Sequence, residues 1–243
     1  MSFSDILQHT FAAYGKNFKL ISFFSVPFAI VFLLSLMLEN FVSFSGIFLR
    51  YGSIQADLSS FDAIILVALF LISLSVFSFA VVGINLAIKS QRTLKRLSHY
   101  ENEKIEYATI RMFTIFLTSF VIILLTNLFL YDYHLTSSLG LLIATIISIG
   151  ILFVPQALVI DDLGLRNSIY MSVSVIFRRF TYVLMFLVIA AFLISINTKI
   201  FLEISSSFPI ARYFAVLINA VLILPFLEVL KTQIYLSKYS VLR

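Results

Sequence analysis

Cysteine and tryptophan are both absent from the chain. Without cysteine there are no disulfides, no thiolate nucleophile and no thiolate-ligated metal, although the redox compartment stays open. Without tryptophan, any aromatic belt at a membrane–water boundary falls to tyrosine and phenylalanine. Histidine is scarce. His9, His99 and His134 lie far apart in sequence, and the last sits at the tip of a tight hairpin between apolar runs. No H-E-x-x-H, P-loop, G-x-S-x-G or kinase pattern occurs. The plentiful serines have no histidine placed to activate them. The expectation is a protein that is not an enzyme, with no catalytic residue, no metal site and no cofactor.

Charge is the next shortage. Charged residues make up 12% of the 243 and apolar ones 61%, against about 25% and roughly 45–50% in soluble domains. Mean hydropathy is +1.07. Such a chain has lipid for much of its solvent, and its length is counted in bilayer crossings of about 20 residues. The net charge of +5 does not point to nucleic acid, because the basic residues sit in short segments between apolar runs.

Six such runs, near residues 20–38, 63–88, 112–131, 137–160, 180–198 and 210–230, predict an all-α polytopic membrane protein of one integral domain over residues 1–243. The N-terminal stretch is too polar for a secretory signal, so the first run is expected to stay as a span. Within residues 1–18, Phe3, Ile6, Leu7, Phe11 and Tyr14 recur at helical spacing, with Ser2 or Ser4 placed to cap. This predicts an amphipathic helix in the headgroup plane, and residues 165–179 predict another. Of the seventeen lysines and arginines, all but Arg50, Lys199 and Arg212 fall on the side that holds both termini. That bias predicts a cell-membrane protein with cytoplasmic N- and C-termini. FAAYGKNFKL and VSVIFRRFTY are alike in placing basic residues and phenylalanine just before a span. Three helical-hairpin pseudo-repeats with amphipathic lead-ins explain the likeness, and so does convergent membrane-surface chemistry.

Pro155, the Asp161–Asp162–Gly164 turn, Ser168 and Ser172, and Arg178–Arg179–Phe180 follow one another in a pattern that resembles a broad group of bacterial and archaeal six-span proteins. That group includes the membrane domain attached to some glycerophosphoryl diester phosphodiesterases. YGKNFKLISFFSVPF and LEVLKTQIYLSKY are similar to its entry into the first span and exit from the last. The resemblance implies the architecture. It brings no catalytic residue, since the chain has no room for the phosphodiesterase domain.

Intramembrane polar residues carry the functional expectation. Gln156, Asn219 and Glu228 are expected to form a small polar site between the fourth and sixth spans. The alternative is that Gln156 and Asn219 bond across the bundle while Glu228 meets Lys231 or Arg179. Pro27, Pro155 and Pro225 predict helix kinks. Asp161 and Asp162 are placed to cap the second amphipathic helix, with Gly164 as the turn and Arg178 and Arg179 at its far end. Lys89, Arg92, Lys95 and Arg96 are expected to attract anionic headgroups. Two functions remain open: a transport or channel path for a small or lipid-related molecule, or a non-catalytic scaffold organising lipid or protein. Expected partners are membrane lipids, with a second copy of the chain or a cytoplasmic protein as further candidates.

Overall fold

The structure is a computed structural model that describes residues 2–37, 41–44, 47–50, 60–93, 99–132, 137–208 and 210–242. The first helix, α1 (Phe3–Lys16), starts on a capping box. The Ser2 hydroxyl accepts the Asp5 N–H and the Asp5 carboxylate accepts the Ser2 N–H, at 3.2 and 2.7 Å. Its buried stripe is Ile6, Thr10 and Ala13. One non-helical residue, Asn17 (φ −106°, ψ 14°), then makes an elbow into α2 (Phe18–Met37). The same device recurs later in the chain. Amphipathic α7 (Leu165–Arg178) meets α8 (Phe180–Ser205) at Arg179 (φ −124°, ψ 31°).

Between these lie α3 (Ser60–Thr93), α4 (His99–Asp132), α5 (Ser137–Gly150) and α6 (Val154–Ile160). The last crossing is built from α9 (Ala211–Ile218), a π-helical turn over Asn219–Ile223 and α10 (Leu224–Leu236), and it ends in a 3-10 turn, Ser237–Leu242. Five stretches are long and apolar enough to cross a membrane: Val67–Lys89, Lys104–Leu130, Ser138–Ile160, Phe180–Ser205 and Tyr213–Tyr239. The protein is therefore a multi-span α-helical membrane protein. A further helix, α2, is 20 residues long and passes through Pro27 unbroken.

The spans divide into inner and outer. The buried share is 50% for Val67–Lys89 and 39% for both Ser138–Ile160 and Tyr213–Tyr239, against 28% for Lys104–Leu130 and 17% for Phe180–Ser205. Accordingly α3, α6 and α10 pack on one another at the centre. In lipid, such packing rests on contact and hydrogen bonding rather than on expulsion of water. Phenylalanine supplies much of the contact: Phe28–Phe77, Phe77–Phe116 and Phe70–Phe120 have ring centroids 5.0, 5.6 and 4.3 Å apart and join α2, α3 and α4. Gly83 lets α2 approach α3, since a Cβ there would overlap the Phe24 ring.

Three features go beyond the sequence expectation. A small antiparallel hairpin, β1 (Phe41–Phe44) with β2 (Ile47–Arg50), pairs Phe41 with Arg50 and Phe44 with Ile47. The aromatic and β-branched residues of FVSF and IFLR suit strands. The amphipathic lead-in to the third span is not a separate helix, because α4 runs unbroken for 34 residues. Finally, α1 packs along α10 antiparallel, with Phe11 on Phe226 (5.1 Å) and the Tyr14 hydroxyl donating to the Leu222 carbonyl (3.3 Å). Ile6 and Leu7 thus face protein, not lipid. His134 lies outside the described residues.

Candidate functional site

The site begins where the crossing Ser138–Ile160 breaks. α5 stops at Gly150, a turn occupies 151–153, and Pro155 falls in the first turn of α6. A proline there costs no hydrogen bond, because early helical N–H groups have no intrahelical acceptor. The break leaves a Phe153 N–H and a Gly150 carbonyl to be satisfied. Ser172 of α7 does both: its buried hydroxyl accepts from Phe153 N (3.0 Å) and donates to Gly150 O (2.7 Å). The break at Pro225 is handled differently. The wider π turn before it lets Leu224 N–H reach the Asn219 carbonyl.

α6 ends in the Asp161–Asp162 pair, which does not cap α7. The N-cap is Gly164, with extended backbone and no side-chain hydrogen bond, and the left-handed residue of the turn is Asp162 (φ 52°). Aspartate tolerates that region better than most non-glycine residues. Both carboxylates instead hold distant elements. Asp162 pairs with Lys89 at the end of α3 (3.1 Å) and Lys104 at the start of α4 (3.7 Å). The Lys89 ammonium also donates to the Val159 carbonyl (2.6 Å), and Arg111 donates to the Leu163 carbonyl (3.1 Å). Lys89, expected at headgroups, is engaged within the bundle. The Arg92 side chain, Lys95 and Arg96 lie outside the described residues.

Asp161 binds the end of the chain. It accepts from the Tyr235 hydroxyl (2.6 Å), the Tyr239 hydroxyl (2.5 Å) and the Lys238 ammonium (2.5 Å). The Lys238 ammonium sits 3.7 Å from the Tyr235 ring centroid. Burial pushes the Asp161 carboxyl up, but the hydrogen bonds from Lys238, Tyr235 and Tyr239 outweigh it, and the group is held below its ordinary range. Arg179, at the second elbow, donates to the Ser237 carbonyl (3.2 Å).

Beneath this face the three inner helices bring polar side chains together. Asn85 of α3 and Gln156 of α6 both donate to Glu228 Oε1 of α10, each at 2.9 Å, and Lys231 reaches Oε2 at 2.6 Å. The Thr232 hydroxyl lies 2.7 Å from Asn85 Oδ1, to which it donates, and 3.4 Å from Gln156 Nε2, from which it accepts. Asn85, Gln156 and Thr232 are fully buried and Glu228 is 6% exposed. The second Asn85 amide proton goes to the Val81 carbonyl (2.9 Å), so both its donors are used. The carboxylate sets the Gln156 orientation, since a flipped amide would turn oxygen against oxygen. Gln156 Oε1 is thereby left as a buried acceptor without a donor among the described residues.

Of the three residues expected together, Gln156 and Glu228 meet and Asn219 does not. Asn219 Oδ1 accepts from Asn197 of α8 (2.9 Å), which also donates to the Ala215 carbonyl. Asn85 and Thr232 take its place. A sequence signal for Asn85 exists: each inner crossing has a helix-breaking residue, a polar residue within three positions, and a charge six positions on. These are Gly83–Asn85–Lys89, Pro155–Gln156–Asp161 and Pro225–Glu228–Lys231. A shallow apolar depression lined by Ile64, Val67, Ala68 and Leu71 lies toward the other end of α3, roughly 20 Å along the helix from Asn85. Compared with protein-family models, curated proteins and solved structures, the chain finds no match.

Proposed function

We propose that the protein is a non-catalytic scaffold of the cell membrane, with six spans, cytoplasmic termini and amphipathic helices that organise lipid or protein at the cytoplasmic face. The observation that carries this reading is the use of the buried polar groups. Both Glu228 oxygens are taken by side chains of the bundle itself, which favours a locked helix junction over a solute site. The bias of lysine and arginine supports the orientation, and α2 supplies the sixth span. The shared elbows at Asn17 and Arg179 support a partial internal repeat. The likeness to the six-span domain of glycerophosphoryl diester phosphodiesterases fits the same architecture and supplies no catalytic group.

A transport role is the second reading. It is favoured by the donor-free Gln156 Oε1 beside a carboxylate, next to a crossing loosened by a π turn and Pro225. Reconstitution separates the two. In liposomes with an entrapped pH dye, an imposed proton or sodium gradient is expected to decay as in protein-free vesicles. A leak that Glu228→Gln abolishes would replace the scaffold with a transporter.

A further inference from the structure

Among the described residues at this end of the bundle, most basic side chains are engaged by the protein itself. Lys89, Lys104, Lys231 and Lys238 face carboxylates, and Arg111 and Arg179 face backbone carbonyls. The exceptions fall at the two elbows. Lys16 and Lys19 flank Asn17, and Arg178 precedes Arg179; all three are exposed and make no ion pair or hydrogen bond among the described residues. Arg166, at the start of α7, is exposed and unpaired in the same way. Each elbow also presents phenylalanine outward: Phe18 at 44% exposed on the first, and Phe180 at 62% with Phe177 at 78% on the second.

The two elbows lie toward the same end of the bundle. Phe24 lies against Gly83 and Phe28 against Phe77, so α2 and α3 are antiparallel, and Asn17 is seven residues back where Lys89 is six residues on. Both distances are about 10 Å along a helix, which sets the first elbow toward the end of the bundle that holds the Lys89–Asp162 pair. Arg179 donates to Ser237, next to the Lys238–Asp161 pair, which sets the second elbow there too. The Phe3 ring of α1 lies tilted against the Tyr182 ring of α8, centroids 5.9 Å apart, so the start of α1 reaches the second elbow. Free cations with an outward aromatic, at the mouth of a membrane-crossing helix, match an anionic headgroup above acyl chain.

We propose that the elbows Lys16–Lys19 and Arg178–Phe180, the latter extended by Arg166, are binding surfaces for anionic phospholipid headgroups. The phenylalanines insert among the first acyl carbons and the cations sit at the phosphate level. This goes beyond the scaffold reading and shares with it the placement of this end of the bundle at the bilayer surface. A transport result in the flux assay would leave the lipid surfaces standing.

The lack of native tryptophan makes a direct test available. Full-length Phe180→Trp and Phe18→Trp proteins are reconstituted in phosphatidylcholine–phosphatidylglycerol vesicles, with bromine on the acyl chains of one lipid or the other. Brominated phosphatidylglycerol is expected to quench more strongly at equal mole fraction, giving an anionic preference of about five-fold per basic residue near the surface. Phe192→Trp, at mid-span on α8, is expected to show no preference. The preference should vanish from Phe180→Trp in an Arg166→Gln/Arg178→Gln background and from Phe18→Trp in Lys16→Gln/Lys19→Gln. These side chains are exposed and unpaired, so the fold is expected to persist by gel filtration. Equal quenching by both lipids would overturn the proposal, as would a preference that survives loss of the cations. Quenching by aqueous iodide instead of bromolipid, as when a soluble protein occupies the surface, would overturn it too.

Discussion

Replacing Lys231 with methionine tests whether the Glu228 junction is a closed ionic node. The ammonium lies 2.6 Å from Glu228 Oε2, and the two side chains are 14% and 8% exposed. At an effective dielectric constant of about 20 their attraction is roughly 6 kcal/mol, most of it offset by desolvation. Lys231→Met removes the attraction and leaves the desolvation of Glu228 in place, with only two amide donors to meet the charge. Breaking one side of a buried pair in this way costs about 3–5 kcal/mol. Glu228→Gln costs less, about 1–2 kcal/mol, because the freed ammonium has a long stem and a route to the surface. The double variant holds no buried charge, so it should lie near the Glu228→Gln value and not near the sum. That difference is a coupling of at least about 2 kcal/mol. The measurement is unfolding in mixed micelles titrated with dodecyl sulfate, followed by near-ultraviolet dichroism of the tyrosines. A cost below about 1 kcal/mol for Lys231→Met, as at an exposed pair, would refute the reasoning. Simple additivity in the double variant would do the same.

Ser172→Ala should destabilise by about 2–3 kcal/mol in the same titration, because it strands both a buried N–H and a part-buried carbonyl at the Gly150–Phe153 break; a loss under about 0.5 kcal/mol would mean the break is closed in another way. Asp161 has a carboxyl held below its ordinary 3.8, so its contribution is fully present above that value and is lost as pH falls through the lower folded one. Hydrogen exchange at residues 235–242 should therefore show constant protection across the neutral range and opening only under strong acid, whereas Asp161→Asn should open already at neutral pH. For orientation, single cysteines are placed at exposed positions. Asn167→Cys should be shielded from an impermeant thiol reagent in intact cells and Ser207→Cys should react; the reverse pattern would invert the topology.

The sequence alone determined the solvent of this protein. Runs of apolar residues are local, the bilayer requires about 20 of them per crossing, and the helices appear where the runs lie. Capping of α1 was legible for the same reason, since Ser2 and Asp5 are neighbours in the chain. The amphipathic pattern of residues 3–16 was legible too, but not what covers it: Ile6 is buried in an apolar cluster with residues of α10, which no local period encodes. Polar pairing needed the tertiary structure throughout. Asn85 and Glu228 are 143 residues apart, and a polar residue near the end of an apolar run reads as one that reaches headgroups at little cost. Only helix rotation turns Asn85 inward to the carboxylate while sending Asn219 to Asn197. Asp161 and Asp162 sat in sequence where a helix cap belongs. Tertiary structure brought Lys89, Lys104 and Lys238 within reach of them, and full charges offered the carboxylates stronger partners than the backbone N–H groups of α7.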